Sequence, residues 1–262
     1  MWRIVPQQPM SNSILYFGDT SLCGAAAYLA GLMHSWGWSF DYVPSSQLAA
    51  AAMFETPRAL YVLSDYPAAN LATDYQETIV RRVAAGAGLL MIGGWDSFHG
   101  CGGNWEGTQI AEALPVSIAS EDDRLNCDHP VILRQVADHP IVRDLPWRSR
   151  PPLIGGLNRF WPKATGTVLL ETQHIQVEVQ PQGLWFQTTS REPLLVVGQH
   201  GVGRTAALAT DVAPHWVGPL VDWGPQRVSA QAPGAEPIEV GNLYAQFLRQ
   251  LLAWTAGRPP AA

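Results

Sequence analysis

The chain has 262 residues, of which 47% are hydrophobic and only 15% charged, with a formal net charge of −6 at pH 7. This length can bury a full core, and the composition is typical of a compact globular protein and excludes extensive disorder. We expect no nucleic-acid partner, because no cluster of Lys and Arg is present to neutralise phosphates.

Several features predict a cytoplasmic protein without a membrane anchor. The apolar segment 14–36 is interrupted by Asp19, His34 and glycines, which favours a strand, a turn and a buried helix over a membrane span. The N-terminus lacks the charged and apolar regions of a signal peptide, and we expect residues 1–12 to be a disordered lead. The three cysteines form no disulfide framework and indicate free thiols.

The first part of the chain alternates apolar runs with amphipathic segments. Such alternation predicts an α/β fold with a doubly wound parallel sheet, in which right-handed crossovers bring the carboxyl ends of the strands to one edge. The predicted strands are 13–18, 38–43, 58–63 and 89–92, and the predicted helices are 21–36, 48–54 and 74–85.

The second part has a looser pattern and predicts an added antiparallel and loop-rich region. We expect one α/β domain over 13–256, since no repeat or long linker divides the chain. Its predicted elements are a helical turn at 108–113, an irregular region at about 118–165, strands at 167–170, 175–179 and 184–187, a hairpin of 193–198 and 204–209, a loop at 217–237 and a helix at 240–255.

The stretch 86–108 has the most distinctive local pattern. Its apolar run 89–92 is typical of a buried strand, ends at Gly93-Gly94 and opens into a loop rich in polar, aromatic and glycine residues. In α/β folds such loops lie at the carboxyl edge of the sheet, where ligands bind. This stretch therefore predicts the position of a functional site.

Four predicted strands end in acids, namely Asp19, Asp65, Asp96 and Asp211. If these strands are parallel neighbours, their carboxylates share one crevice, and crowding raises at least one pKa and permits general acid or base chemistry. The alternative is that each Asp caps a helix or closes an Asx turn. The polar residues expected beside the acids are Ser64, Ser97, His99 and His215.

Tryptophans follow the same strands. A tryptophan in a crevice offers a flat apolar wall for a sugar or a heterocycle, while core filling or a subunit contact is the alternative. The tryptophans in or near these loops are Trp95, Trp105, Trp216 and Trp223. A homo-oligomer is expected because loops 120–165 and 217–238 carry Trp147, Trp161 and Trp223, which we interpret as exposed.

Other chemistries have weaker support. Cys101 could act as a nucleophile with His99 or His215 as its base, but it lies well beyond the strand end and not on a strained elbow.

No metal or cofactor is expected. A site built from His99, Cys101, Cys127 and His129 lacks metal-ligand spacing, while one built from Asp19, Asp65, Asp96 and His215 stays open.

From about residue 13 to 256 the chain resembles the glutamine amidotransferase-like family, a branch of the class I glutamine amidotransferase superfamily related to ThuA-like trehalose-utilisation proteins. The resemblance implies a flavodoxin-like core sheet with a site at its carboxyl edge. It is carried by Gly93-Gly94-Trp95-Asp96-Ser97-Phe98, Gly107-Thr108 with Leu114-Pro115-Val116, Asp138-His139-Pro140-Ile141 with Asp144-Leu145-Pro146, and Gly203-Arg204 with 210–216.

The chain departs from that superfamily at the catalytic motif. Glutaminases place a cysteine in a G-x-C-x-G elbow after a central strand and activate it with a histidine from an H-P-E segment. Here the glycine pair leads to Trp95, so no cysteine occupies the turn. His215 is similar in placement to the family histidine, but Val217 occupies the position of the acid of the H-P-E segment. We therefore expect no glutamine hydrolysis.

Two hypotheses of function remain. The first is a hydrolase acting on a small amide or sugar-like ligand, with Asp96, Asp65 or Asp19 as general base, His215 as acid, and the amides of Gly94 and Trp95 polarising a carbonyl. The second is a catalytically inactive binding or interaction protein. The expected ligand-binding residues are Asp19, Ser64, Gly94, Trp95, Ser97, His99, Asp211 and Trp216.

The two hypotheses predict different surroundings for the acids. A carboxylate of raised pKa within hydrogen-bonding reach of His215 favours the hydrolase. A dry, tryptophan-lined pocket whose acids all serve as helix caps favours the binding protein.

Overall fold

The computed structural model describes residues 13–258, so the predicted lead at 1–12 lies outside the described residues. The described part contains helices and strands in alternation over its first half. The helices are α1 (Ala26–Ser35), α2 (Thr73–Ala84), α3 (Gln109–Ala113), α4 (Pro214–Val217) and α5 (Asn242–Thr255). Short 3-10 helices occupy Ala51–Phe54, Ala68–Asn70 and Gly218–Asp222.

The strands form one large sheet and three small ones. The strands of the first half are β1 (Ile14–Gly18), β2 (Phe40–Val43), β3 (Leu60–Ser64), β4 (Gly88–Ile92) and β5 (Val116–Ile118). Those of the second half are β6 (Arg124–Gln135), β7 (Leu153–Asn158), β8 (Phe160–Pro162), β9 (Thr167–Gln173), β10 (Ile175–Gln180), β11 (Gly183–Thr188), β12 (Pro193–His200), β13 (Gly203–Leu208), β14 (Arg227–Ala230) and β15 (Ile238–Gly241).

The large sheet has nine strands in the order β2-β1-β3-β4-β13-β12-β9-β6-β7. The first five strands in this order are parallel, and the remaining strands join them by antiparallel pairing. The α/β class and the added antiparallel region are therefore confirmed. The three small sheets pair β10 with β11, β14 with β15 and β5 with β8.

The central strands are buried from end to end. Every residue of β1, β3 and β4 is buried, which explains why these strands are continuous apolar runs in the sequence. Helix α5 packs Phe247, Leu248 and Leu251 into the same core. Within residues 13–258, none of the helices has the length and apolar character needed to cross a membrane.

The region 118–165 is more regular than the sequence predicts. Strands β6 and β7 belong to the large sheet, and Val131, Leu133 and Ile154 are buried in the core. The pairing of β6 with β7 shifts register between Asn126 and Val131. Polar residues and a proline interrupt the apolar alternation there, so the sequence pattern indicates a loop where the sheet continues.

Two smaller segments also differ from the prediction. The expected helix at 48–54 is a 3-10 turn over Ala51–Phe54, and the expected loop at 217–237 contains β14. The other predicted strands and helices are present, with displaced ends, whereas β5, β8, β15 and α4 have no counterpart in the prediction.

Candidate functional site

The four acid-ended strands are neighbours at one edge of the sheet. The register pairs Gly18 with Ser64, Ser64 with Ile92, and Leu208 with Ile92 across β1, β3, β4 and β13. The loops that begin after these residues therefore leave the sheet side by side. They carry Asp19, Asp65, Asp96 and Asp211.

Two of these acids adopt a left-handed backbone conformation. Asp19 has φ 43° and Asp65 has φ 51°, a region that Asp visits more readily than most residues. The Asp19 amide donates a hydrogen bond of 2.8 Å to the Ser64 carbonyl oxygen. Gly18 is required before it, because a Cβ at this position would lie 1.4 Å from the same oxygen.

Asp19, Asp65 and Asp211 form an inner acid cluster. Asp19 and Asp211 are buried and Asp65 is partly buried. Tyr16 lies below Asp19 and donates its hydroxyl hydrogen bond to Asp19 Oδ2 at 2.5 Å. Asp19 Oδ1 and the Ser64 hydroxyl are buried and have no hydrogen-bond partner within residues 13–258.

The other two acids of the cluster bond to backbone amides. Asp65 Oδ1 accepts a hydrogen bond of 2.6 Å from the Asp96 amide, and the Trp95 amide also stabilises this carboxylate. Asp211 Oδ1 accepts hydrogen bonds of 2.5 and 3.3 Å from Val212 and Ala213. Both acids therefore close the turns that follow their own or a neighbouring strand.

Burial and mutual repulsion raise the pKa values of the inner acid cluster. Burial raises the pKa of Asp65 to about 7, and the charge of Asp211 adds to the effect. Burial raises the pKa of Asp211 to about 6. Burial also raises the pKa of Asp19 well above its usual range, with contributions from Asp211 and Asp65.

The loop after β4 is held by two residues that the sequence did not single out. Buried Asn158, at the end of β7, accepts a hydrogen bond of 2.9 Å from the Gly94 amide and donates one of 2.7 Å to Asp123. Asp123 accepts further bonds of 3.0 Å from the amides of His99 and Gly100. The only sequence signal is that Asp123 lies in an acidic run and Asn158 follows an apolar segment.

Trp95, Asp96, Arg124 and His215 form an outer platform above the cluster. Trp95 is 46% exposed, and the Arg124 guanidinium lies 4.6 Å from the centre of its ring. The His215 ring meets Trp95 edge-on at 6.0 Å. Arg124 is held by Asp122 through hydrogen bonds of 2.9 and 2.7 Å.

Asp96 is the acid of the outer platform. Its side chain is partly exposed, and burial raises the pKa of its carboxyl while Arg124 lowers it. No hydrogen bond to the Asp96 side chain occurs within residues 13–258. Its oxygens are therefore not used by donors of the described part of the chain, and Oδ1 lies close to Gly102.

The predicted acid–base pair is not assembled. His215 is exposed, and within the described part of the chain its only recorded partner is the Trp95 ring. It contacts no carboxylate, so the prediction that His215 acts as the acid opposite Asp96, Asp65 or Asp19 has no support in the geometry. His99 instead pairs with Glu106 at 2.9 Å.

The predicted oxyanion donors are already bonded within the protein. The Gly94 amide donates to Asn158, and the Trp95 amide faces Asp65. Gly94 lies so close to Asp65 that a Cβ there would be 2.1 Å from a carboxylate oxygen. Ser97 is buried and its hydroxyl accepts the Asp65 amide at 2.9 Å. These residues shape the turn, and the amides of Gly94 and Trp95 are not free to bind a carbonyl.

Most of the predicted tryptophan wall belongs to the core. Trp105, Trp216 and Trp223 are buried, and each indole N–H donates to a protein oxygen, on Tyr66, Asn126 and Arg150 respectively. Trp147 is also buried, which removes two of the three residues on which the homo-oligomer expectation rested, while Trp161 is 58% exposed. Of the four predicted wall residues, only Trp95 faces solvent.

Among residues 13–258, the side chains needed for a cysteine nucleophile at Cys101 or for a metal site are not brought together. Cys101 is exposed, and its amide donates to the Trp95 carbonyl oxygen at 2.7 Å. No histidine bonds to its thiol among residues 13–258. In the same range, His, Cys, Asp and Glu side chains form no group of three or more that could hold a metal ion.

Two open cavities lie away from the acids. One of about 530 Å³ is lined by Gly198, Gln199, Gly201 and Trp254, and one of about 310 Å³ by Asp138 and its neighbours. Gly201 packs against Ala84, just before β4 begins, so these cavities are at the amino edge of the sheet. Their lining residues include none of Asp19, Asp65, Asp96 and Asp211.

Comparisons with known proteins agree with this fold. Residues 38–227 match the family model GATase1_like, described as "Putative glutamine amidotransferase". No curated protein matches at a significant level.

Solved structures extend the likeness to nearly the whole chain. A cytoplasmic protein from Salmonella typhimurium LT2 is 23% identical with a TM-score of 0.71, covering 93% of this chain and 99% of its own. A second cytoplasmic protein from Salmonella typhimurium is 22% identical with a TM-score of 0.68, covering 92% and 98%. A ThuA-like protein from Parabacteroides merdae ATCC 43184 is 14% identical with a TM-score of 0.60, covering 97% and 93%. At these identities the likeness shows the fold.

Proposed function

The chain belongs to the glutamine amidotransferase-like family, and from this premise we propose that it binds a small polar, sugar-like ligand on the outer platform without glutaminase activity. One observation carries the proposal. The inner acid cluster accepts hydrogen bonds from the protein's own amides and from Tyr16, whereas Trp95 is 46% exposed and the partly exposed Asp96 carboxylate accepts no hydrogen bond within residues 13–258. This difference supports the outer platform as the place where a ligand binds.

The absence of glutaminase chemistry follows from the turn after β4. A glutaminase needs a cysteine there, with a histidine base and an orienting acid, to form an acyl-enzyme. Gly93, Gly94 and Trp95 occupy the turn, and Val217 occupies the position of the acid. Cys101 is displaced along the loop and has no histidine bonded to its thiol within residues 13–258.

A sugar-like ligand fits the chemistry of the outer platform. The indole ring of Trp95 offers an apolar surface against which the C–H face of a pyranose packs. Asp96 has oxygens free to accept hydrogen bonds from hydroxyl groups. His215 borders the ring and supplies a further polar group. Arg124, fixed by Asp122, holds the ring in position from one face.

A thermal-shift screen tests this proposal. The panel contains sugars, glutamine, small amides and divalent metals, and the proteins are wild type, Trp95→Ala and the control Trp161→Ala. Because binding stabilises the native state by mass action, a sugar at about one hundred times its Kd adds about 2.7 kcal/mol. At about 2–4 °C per kcal/mol, the melting temperature rises by roughly 5–10 °C.

The variants separate specific binding from general effects. We expect the shift in wild type and in Trp161→Ala, which removes an exposed tryptophan elsewhere on the surface, and its loss in Trp95→Ala. A shift that survives in Trp95→Ala contradicts the outer platform as the site. A shift with glutamine or with a metal alone contradicts the sugar-like class.

Hydrolysis of the same ligand is the second candidate function. It is supported by the Asp96 carboxylate, whose oxygens accept no hydrogen bond within residues 13–258 and whose pKa is raised by burial, since a general base needs an oxygen free to take a proton. Proton NMR of the bound sugar or amide over time would show product formation that is absent in Asp96→Asn. Unchanged ligand in the presence of the wild-type protein contradicts hydrolysis and leaves binding alone.

A cytoplasmic location is part of the same proposal. It is supported by the free thiols of Cys23 and Cys101, both exposed, which a reducing compartment would preserve. Fractionation of the source cells with an antibody to the chain tests it. Recovery in the membrane or secreted fraction would contradict it.

A further inference from the structure

A hairpin arm formed by β10 and β11 stands apart from the large sheet. The two strands pair only with each other, in an antiparallel register from Ile175 with Thr188 to Gln180 with Gly183. All six residues of β11 are exposed, and in β10 only Ile175 and Val177 are partly covered. A two-stranded sheet alone is marginally stable in water, so an uncovered arm of this kind is unusual.

The two faces of the hairpin arm differ in chemistry. Side chains alternate between faces along each strand, and the register places Val177 opposite Phe186 and Val179 opposite Leu184. One face is therefore apolar apart from its terminal Thr188, with Ile175, Val177, Val179, Leu184 and Phe186. The other face carries Gln176, Glu178, Gln180, Trp185 and Gln187.

We propose that the apolar face of the hairpin arm packs against the same face of a second copy of this chain, in a two-fold symmetric dimer. Two-fold interfaces bring identical patches together, so the patch must be complementary to itself. Glu178 is the only charged residue of the arm and lies on the opposite face. Two copies with a net charge of −6 can therefore meet here without burying a charge.

The exposed area matches a weak dimer. Val179, Leu184 and Phe186 are 84%, 60% and 65% exposed. With about 150–250 Å² for a whole aromatic side chain and somewhat less for an aliphatic one, these three expose on the order of 350 Å². Together with the partly covered residues of the same face, two arms would bury about 1,000 Å², the lower limit of a specific interface. The dimer is thus expected to depend on protein concentration.

Sedimentation velocity of the full chain over a wide range of concentrations tests the proposal. The variant Phe186→Glu places a charge on the apolar face, and the control Gln187→Glu places the same charge on the opposite face at the next position. We expect wild type and Gln187→Glu to convert from monomer to dimer alike, and Phe186→Glu to raise the dimer Kd by at least about tenfold.

Folding is controlled in the same experiment. Phe186 and Val179 are solvent-exposed, so circular dichroism should show native folding for Phe186→Glu and for a second variant, Val179→Asp, which should also be monomeric. A wild-type chain that stays monomeric at every concentration overturns the proposal. The apolar face of the hairpin arm would then be expected to contact a different protein. Equal weakening by Phe186→Glu and Gln187→Glu also overturns it.

Discussion

The inner acid cluster and the outer platform lie at the same edge of the sheet but differ in what their polar groups bond to. In the inner cluster, Asp65 and Asp211 accept backbone amides, and Asp19 accepts the Tyr16 hydroxyl. In the outer platform, Asp96 has no hydrogen-bond donor within residues 13–258, and Trp95 is 46% exposed. The first region holds the loops, and the second is where we propose that a ligand binds.

This difference shows that a raised pKa alone does not identify a catalytic group. Burial raises the pKa of Asp65 to about 7, a value suited to a general base. Its carboxylate is nevertheless bonded to the turn that follows β4, and Gly94 lies directly against it. The raised pKa of Asp65 therefore reflects a carboxyl group that holds a turn, and what its oxygens bond to distinguishes it from Asp96.

The largest effect is expected from removing the side chain that fixes the loop after β4. Asn158→Ala leaves the Gly94 amide and Asp123 without their buried partner. Since each buried unsatisfied group costs about 1–3 kcal/mol, we predict a loss of about 3 kcal/mol in the free energy of unfolding, measured with urea. The control Asn104→Gly, at an exposed position of the same loop with φ 47°, should change it by less than about 0.5 kcal/mol. Equal effects would contradict the anchoring role of Asn158.

A second, intermediate effect concerns the pH dependence of stability. The pKa of Asp65 is about 7 in the folded protein and about 3.9 in an unfolded chain. Between these values the native state holds a proton that the unfolded state has lost, so Asp65 makes the free energy of unfolding fall as pH rises. The slope from one proton is at most about 1.4 kcal/mol per pH unit.

Asp65→Asn removes this slope while keeping an oxygen that can accept the Asp96 amide. The free energy of unfolding of Asp65→Asn should therefore increase relative to that of wild type as pH rises from about 4 to 7. Urea unfolding at several pH values measures the difference, and Glu121→Gln, at an exposed position, is the matched control. A constant difference between Asp65→Asn and wild type would show that Asp65 is not held in its protonated form.

The smallest effect is expected at Cys101. Its exposed side chain has no hydrogen-bond partner within the described residues, although it lies near Arg124 of the outer platform. Cys101→Ser should therefore change the free energy of unfolding by less than about 0.5 kcal/mol and leave the sugar-induced thermal shift unchanged. Loss of the shift or of turnover in this variant would revive Cys101 as a functional residue.

The sequence predicts the positions of the buried strands better than the hydrogen bonds made by the acids that follow them. Short apolar runs ending in a glycine or a polar turn correctly placed β1, β3, β4 and β13, because buried parallel strands have that local signature. The acids that follow them could be placed at one edge from topology alone. Their bonding could not, since the partners of Asp65 and Asp211 depend on the exact turn geometry.

Contacts between distant segments explain what the sequence could not predict. Asn158 bonds to Gly94 across 64 positions of the chain, and Trp216 bonds to Asn126 across 90. Nothing near Trp216 in the sequence shows that its indole is buried and satisfied, so it was predicted to line the site. Strand β6 was missed because polar residues interrupt its apolar alternation where the pairing shifts register.

The most direct test of the difference between the two regions is isothermal titration of Asp96→Asn and Asp65→Asn with the sugar that raises the wild-type melting temperature. We predict that Asp96→Asn raises the Kd by about tenfold or more, because its amide cannot accept hydroxyl hydrogen bonds as a carboxylate does. Asp65→Asn, which keeps an oxygen that can accept the Asp96 amide, should bind like wild type. Loss of binding in Asp65→Asn with retention in Asp96→Asn would contradict the outer platform and place the ligand among the buried acids.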